Sequence, residues 1–177
     1  MYTKSLVELV TVNGVPLKML DCPALRRILD PIEKGLMEKF GQGVEHITSQ
    51  TIKPILANVS QRLRNRITSE VSGRMMCLKL DIASRLHRDV LCINVQFVDK
   101  NVLKIRTLAM VELKDRHTAE HIEKVVLETL SSYNMSLSQI YTNTTDNGSN
   151  MVATSKRLAA KQLLVFNLIE EENIQDP

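Results

Sequence analysis

The sequence predicts an α/β (α+β) domain: amino-terminal helices, three antiparallel strands, a crossover helix, a fourth, parallel strand and a terminal helix. Three observations carry this. Met76, Leu78, Leu80 and Ile82 alternate with Cys77, Lys79, Asp81 and Ala83, the period of a half-buried strand. Two links, SRLHRD (84–89) and Asp99-Lys-Asn101, are too short for helical crossovers and so join antiparallel neighbours. Between the third and fourth strands lies a helical period, which makes that connection a crossover and the fourth strand parallel to its partner.

In chain order, residues 2–20 read as an extended, weakly anchored segment around Asn13-Gly14 that ends in a short strand. Asp21-Cys22-Pro23 is a helix start, with Asp21 or Cys22 at the cap and Pro23 in the first turn. The helix covers 24–29, is broken or kinked by Pro31, and resumes over 32–40 before Gly41-Gln-Gly43. The clearest amphipathic helix spans 49–69, with Ile52, Ile55, Leu56, Val59, Leu63 and Ile67 on one stripe. Strands follow at 75–83, 90–98 and 103–113. Thr118 caps the next helix, whose apolar face holds Ile122, Val125, Val126, Leu130 and Tyr133. After a turn at 134–138, the fourth strand covers 137–145, and a last helix runs from Ser149 or Asn150 to Ile169. The expected organisation is a helical region 1–72, a sheet-bearing core 73–169 and an acidic tail 170–177.

Composition narrows the function classes. With 44% hydrophobic and 24% charged residues over 177 positions, the chain has enough apolar mass for a core. Aromatics make up 3% and Trp is absent, so contact with nucleic acid would rest on charge rather than stacking. The net charge of +3 is unevenly spread: eight Lys or Arg face two acids between Lys53 and Arg88, whereas 163–177 holds four acids and no base. A basic segment suits a polyanion as well as a solvated helix face. Cys22, Cys77 and Cys92 are widely spaced in apolar runs, as reduced core thiols of an intracellular protein would be. The first apolar run is interrupted by Glu8, so it is not a signal-peptide core, and no run approaches a membrane span.

Two aspartates stand out. Asp81 lies on the polar face of the first strand, and Asp146 follows the fourth strand in QIYTNTTDNGSNM. Carboxylates where strands of one sheet end suit a hard divalent cation, Mg²⁺ or Mn²⁺, which takes oxygen ligands and keeps several waters. Off the apolar stripe of the 49–69 helix, Arg62 and Arg66 stand one turn apart with Arg64 near them, a candidate contact for a DNA backbone. His87 and His121 read as solvent-facing, and His117 as serving the start of its helix.

The strand and helix order is that of the opening of a ribonuclease-H-like fold. More specifically, KLDIASRLHRDVLCINVQFVD, RTLAMVELKDRHTAEHI and IYTNTTDNGSNM resemble the core of hAT-superfamily DNA transposases. The resemblance puts the first catalytic carboxylate at Asp81, the helix-opening HT pair at His117-Thr118, and the second carboxylate at Asp146 in the run ending at Met151. It implies a nuclear protein whose Asp81 and Asp146 bind Mg²⁺ or Mn²⁺ for DNA strand cleavage and transfer. A third acidic residue, a glutamate, is implied beyond a long helical insertion and so past Pro177; Glu170, Glu171 and Glu172 lack its context. The expectation is therefore a carboxy-terminally incomplete core, inactive alone, with one open sheet edge through which it self-associates or takes a partner. The alternative is a domesticated or decayed remnant that binds DNA or protein without catalysis. A compact ribonuclease H fits the strands but not the TDNGSNM run.

Overall fold

The computed structural model describes residues 2–41, 46–114 and 117–174, and the side chains of the last helix as far as Val165. The described chain divides into two compact units, Met1–Leu63 and Arg64–Pro177.

The first unit is helical. Where an extended segment was expected, the chain forms α1, Tyr2–Thr11, then a 3₁₀ turn at Leu17–Asp21. Val7, Val10, Thr11 and Val12 lend this stretch β-branched character, but Tyr2, Leu6, Leu9 and Val10 also fall at helical spacing and pack into the unit's core. Burial of that face overrides the weak local preference. Helix α2, Pro23–Phe40, begins at Cys22 without a side-chain cap and ends at Gly41, whose φ of +69° suits glycine. Pro31 neither breaks nor divides it. Leu29 and Glu33, on either side of the proline, are both buried, and their contacts hold the helix through the missing hydrogen bond. The core of this unit gathers Leu6, Leu20, Leu29, Ile47 and Ile52.

Helix α3, Ile52–Val71, contributes Ile52, Ile55 and Leu56 to that core, and Ile67 and Val71 to the core of the second unit. The stripe is not buried along its whole length: Leu63 is 54% exposed.

In the second unit, β1 (Met76–Arg85), β2 (Arg88–Asp99) and β3 (Val102–Leu113) form an antiparallel meander. Both hairpins turn through two residues at positive φ, Leu86-His87 and Lys100-Asn101. Helix α4, Ala119–Ser131, crosses over to β4, Ile140–Thr144, which lies parallel to β1. The sheet order is β3-β2-β1-β4, so β3 and β4 are its edges. The class read from the sequence therefore stands: α+β, with a mixed four-stranded sheet. The fourth strand is shorter than expected because Leu137–Gln139 form a 3₁₀ turn closed by a reciprocal Ser136–Gln139 cap.

Leu78, Leu80, Leu91, Ile93, Val95 and Phe97 point to the buried face, where Ile67, Val71, Ile122, Val126, Leu130, Met151 and Leu158 of α3, α4 and the last helix cover them. A bulge opposite Ile93/Asn94 interrupts the β2–β3 register, and the nearby Leu108 carbonyl accepts the Tyr133 hydroxyl at 2.8 Å. Helix α5, Ser149–Ile174, continues through Glu170–Glu172, where an acidic tail outside the last helix was expected. A run of three acids does not stop a helix that has no Gly or Pro in its path. Leu163 and Leu164 on it are 64% and 63% exposed. Gly43, read as part of a helix stop, lies outside the described residues.

Candidate metal centre

Parallel pairing of β1 with β4 ends two residues before each aspartate. The register matches Leu78 with Asn143 and Lys79 with Thr144. Two residues further on, β1 reaches Asp81, and the chain leaving β4 reaches Asp146. Asp81 is still inside the β1–β2 ladder, opposite Cys92, so its backbone is held by the sheet. Strand alternation sets it with Cys77 and Lys79 on the face away from Leu78 and Leu80, and it is exposed.

Asp146 is placed by the loop that starts α5. Its Oδ1 accepts the Gly148 amide at 3.2 Å, and its carbonyl accepts the Thr145 hydroxyl at 2.9 Å. A Cβ on residue 148 would come within 3.2 Å of that same Oδ1, so glycine lets the carboxylate sit there. The Gly148 carbonyl takes the Val152 amide at 2.9 Å, Met151 is buried, and Ser155 donates to Asn143 Oδ1 at 2.7 Å. Strand end, loop and helix start are thus tied together around an exposed carboxylate. Hard, exposed oxygen donors beyond the last pair of two parallel strands suit a hydrated divalent ion.

Among the described residues, no third His, Cys, Asp or Glu groups with the pair. Among the described residues, the cluster of three close ligand atoms is Asp30, Glu33 and His46, in the first unit. The Arg26 guanidinium already stands inside it. Its Nη2 bonds Asp30 Oδ1, reaches Glu33 Oε2 at 2.6 Å and lies 3.0 Å from His46 Nδ1. Glu33 also accepts the Tyr2 hydroxyl at 2.5 Å and the Ile47 amide at 3.2 Å, and His46 Nδ1 lies 2.6 Å from its Oε2. Burial alone would raise the Glu33 pKa, but the contacts with Arg26, Tyr2, Ile47 and His46 together draw it down to about 2. The protein's own guanidinium fills the place of a cation, and the cluster is a structural hub.

The three arginines read as a DNA contact have separate surroundings. Arg62 lies in the first unit and lines a groove with Lys4, Val7, Glu8, Ile55 and Val59. Arg64 donates to the Ser132 hydroxyl at 3.0 Å and stacks over the Tyr133 ring, 4.7 Å from its centroid. Arg66 pairs at 3.0 Å with Glu70, which also holds Arg106 at 2.7 Å. The Glu70 pKa is lowered, first by Arg106 and then by Arg66.

His117 was expected to serve the start of α4; the cap is made by Thr118, which accepts the His121 amide at 3.3 Å. His117 Nε2 lies 3.3 Å from Asp89 Oδ2, while Ser84 donates to Oδ1 of the same carboxylate. Asp89 was missed in the sequence because its partners come from the neighbouring strand and from the start of a distant helix.

Comparison with known proteins adds one match. The model of a family described as a domain of unknown function (DUF8247) matches residues 62–145, just under half of the chain, taking in Asp81 and stopping one residue before Asp146. No curated protein matches the chain.

Proposed function

We propose that the chain carries two carboxylates, Asp81 and Asp146, of a ribonuclease-H-like, transposase-type centre for phosphodiester cleavage and strand transfer on DNA. The observation behind this reading is the β1–β4 register, whose last pair, Lys79 with Thr144, stands two residues before Asp81 on one strand and before Asp146 on the other. The sheet order β3-β2-β1-β4 and the crossover through α4 are in keeping with the fold that the resemblance implies. Asp81 would supply a ligand fixed by the ladder and Asp146 a ligand fixed by the Gly148 turn. When bound, Mg²⁺ or Mn²⁺ would lower the pKa of an attacking water or hydroxyl and stabilise the leaving oxygen. Nuclear placement and self-association through a free sheet edge belong to the same proposal.

A non-catalytic DNA- or protein-binding role is the second reading. It is favoured by the absence, among the described residues, of a third acid or His close to the pair. Two carboxylates leave most of the coordination to water, so binding at about millimolar affinity and no cleavage by the chain alone are expected. Titrating Mn²⁺ into ¹⁵N-labelled chain should selectively broaden amide signals around Asp81 and Asp146. Asp81→Asn should abolish that broadening. Broadening elsewhere, or none at tens of millimolar ion, would overturn the metal reading. Metal-dependent nicking of duplex DNA that is lost in Asp81→Asn would replace the non-catalytic reading with the catalytic one.

A further inference from the structure

The β1–β2 hairpin ends in Arg85-Leu86-His87-Arg88, all exposed, at the sheet end toward which Asp81 leads. Leu86 is 82% exposed. Its φ of +51°, with +58° at His87, is a region a branched side chain adopts at a cost. The turn does not ask for leucine. The other two-residue turn of the same sheet has the same geometry, φ of +50° and +62°, with Lys100 and Asn101. The hairpin is paired to its tip: the ladder from Cys77–Gln96 runs unbroken to Arg85–Arg88. Arg88 is committed to the sheet, bonding Glu112 through Nε and Nη2 at 2.6 Å each. Among the described residues, Arg85, at the end of β1, and Lys114, just beyond β3, are exposed cations at this end, beside the exposed His87.

We propose that this tip is a nucleic-acid contact finger: Arg85 meets a backbone phosphate and Leu86 wedges against the base stack of a duplex. It rests on the reading of Asp81 and Asp146 as the reactive end, and it names how the substrate is held there. An apolar side chain projected between cations is the arrangement by which proteins press into a base step, phosphate contacts fixing the register. The distances fit. From Asp81 to Leu86 the strand advances roughly 16 Å at about 3.3 Å per residue, which is about five base pairs at 3.4 Å each. A duplex with its reacting phosphate at Asp81 would therefore meet the tip within half a helical turn.

The test uses the full chain, a fluorescein-labelled 20-bp duplex, and a set of such duplexes carrying 2-aminopurine at successive positions. Leu86→Asn is the informative variant, because asparagine tolerates positive φ and the hairpin should fold at least as well. It should remove the 2-aminopurine unstacking signal and weaken binding about fivefold or more. Arg85→Ala should weaken binding similarly on every sequence and reduce the slope of log affinity against log salt by about one. Wild-type binding and unstacking by both variants, or no duplex binding by the wild type, would overturn the finger. The two proposals separate cleanly. Mn²⁺ broadening that persists in Leu86→Asn while its duplex binding weakens supports the finger with the metal reading intact. Duplex binding through the tip without Mn²⁺ broadening at Asp81 supports the finger and sinks the metal reading.

Discussion

At the scale of single residues, Glu33 and Glu123 show two ways of keeping a carboxylate out of water. Glu33 is 7% exposed and receives its partners from three directions, so its folded pKa of about 2 lies well below the ordinary 4.5. A depressed carboxylate stabilises the fold above its unfolded pKa and ceases to as pH falls through the folded one. The contribution, about 2–3 kcal/mol, should be fully present above pH 5 and fade between about 4.5 and 2. Wild type and Glu33→Gln should therefore converge in stability in acid denaturation followed by circular dichroism; a gap that stays constant down to pH 2 would contradict this. Glu123, 3% exposed on α4, bonds Arg157 through Oε2, and Lys161 Nζ stands 2.8 Å from Oε1. Its pKa is lowered, by Lys161 first and then Arg157. Both cations are about half exposed and can rehydrate, whereas the carboxylate cannot. Removing both (Arg157→Met with Lys161→Met) should thus cost more, about 2–3 kcal/mol in urea unfolding, than Glu123→Gln at about 1 kcal/mol.

Elements are placed by their ends. The β1–β2 turn carries Leu86 and His87 where Asn-Gly is the favoured pair. Replacing both with Asn-Gly should stabilise the second unit by about 1–2 kcal/mol, seen as a rise in urea midpoint at constant slope. An unchanged or lower midpoint would show that the tip makes contacts that offset its strain. At the start of α5, Gly148→Ala should disturb Asp146 more than it disturbs stability, because the three atoms nearest the added methyl all belong to the Asp146 carboxylate, Oδ1 at 3.2 Å. The expected readout is a chemical-shift change centred on residues 145–149 with a melting temperature within a few degrees of wild type.

Across the molecule, two hydrophobic clusters share α3 but no residue. Leu78 is fully buried at the centre of the second cluster, and Leu78→Ala should cost about 2–5 kcal/mol there. Hydrogen exchange should accelerate through β1, β2 and α4 and change little in α1 and α2. A uniform loss of protection would mean that the two cores unfold as one. The sheet face opposite the helices is apolar at one end, where Val98, Leu103 and Ile105 are each more than half exposed, and the row at Asp81 also carries Cys92 and the 71% exposed Met110.

What could be read in the sequence was whatever depends on local period. Alternation over 76–82 and the short links fixed the meander, and the helical period before β4 fixed its parallel sense, because each is a consequence of neighbouring residues alone. Asp81 and Asp146 were visible for the same reason: each marks a strand's polar face or end. Tertiary contact decided the rest. Helix α1 exists because a core burying Leu6 accepts its apolar face, and α2 survives Pro31 because Leu29 and Glu33 are held. Arg64, legible only as a charge, is set against Ser132 and Tyr133 from far along the chain. The pairing of Lys79 with Thr144, two residues short of each aspartate, likewise comes from a register between strands separated by two hairpins and a helix, and a register is a property of the pair, not of either strand.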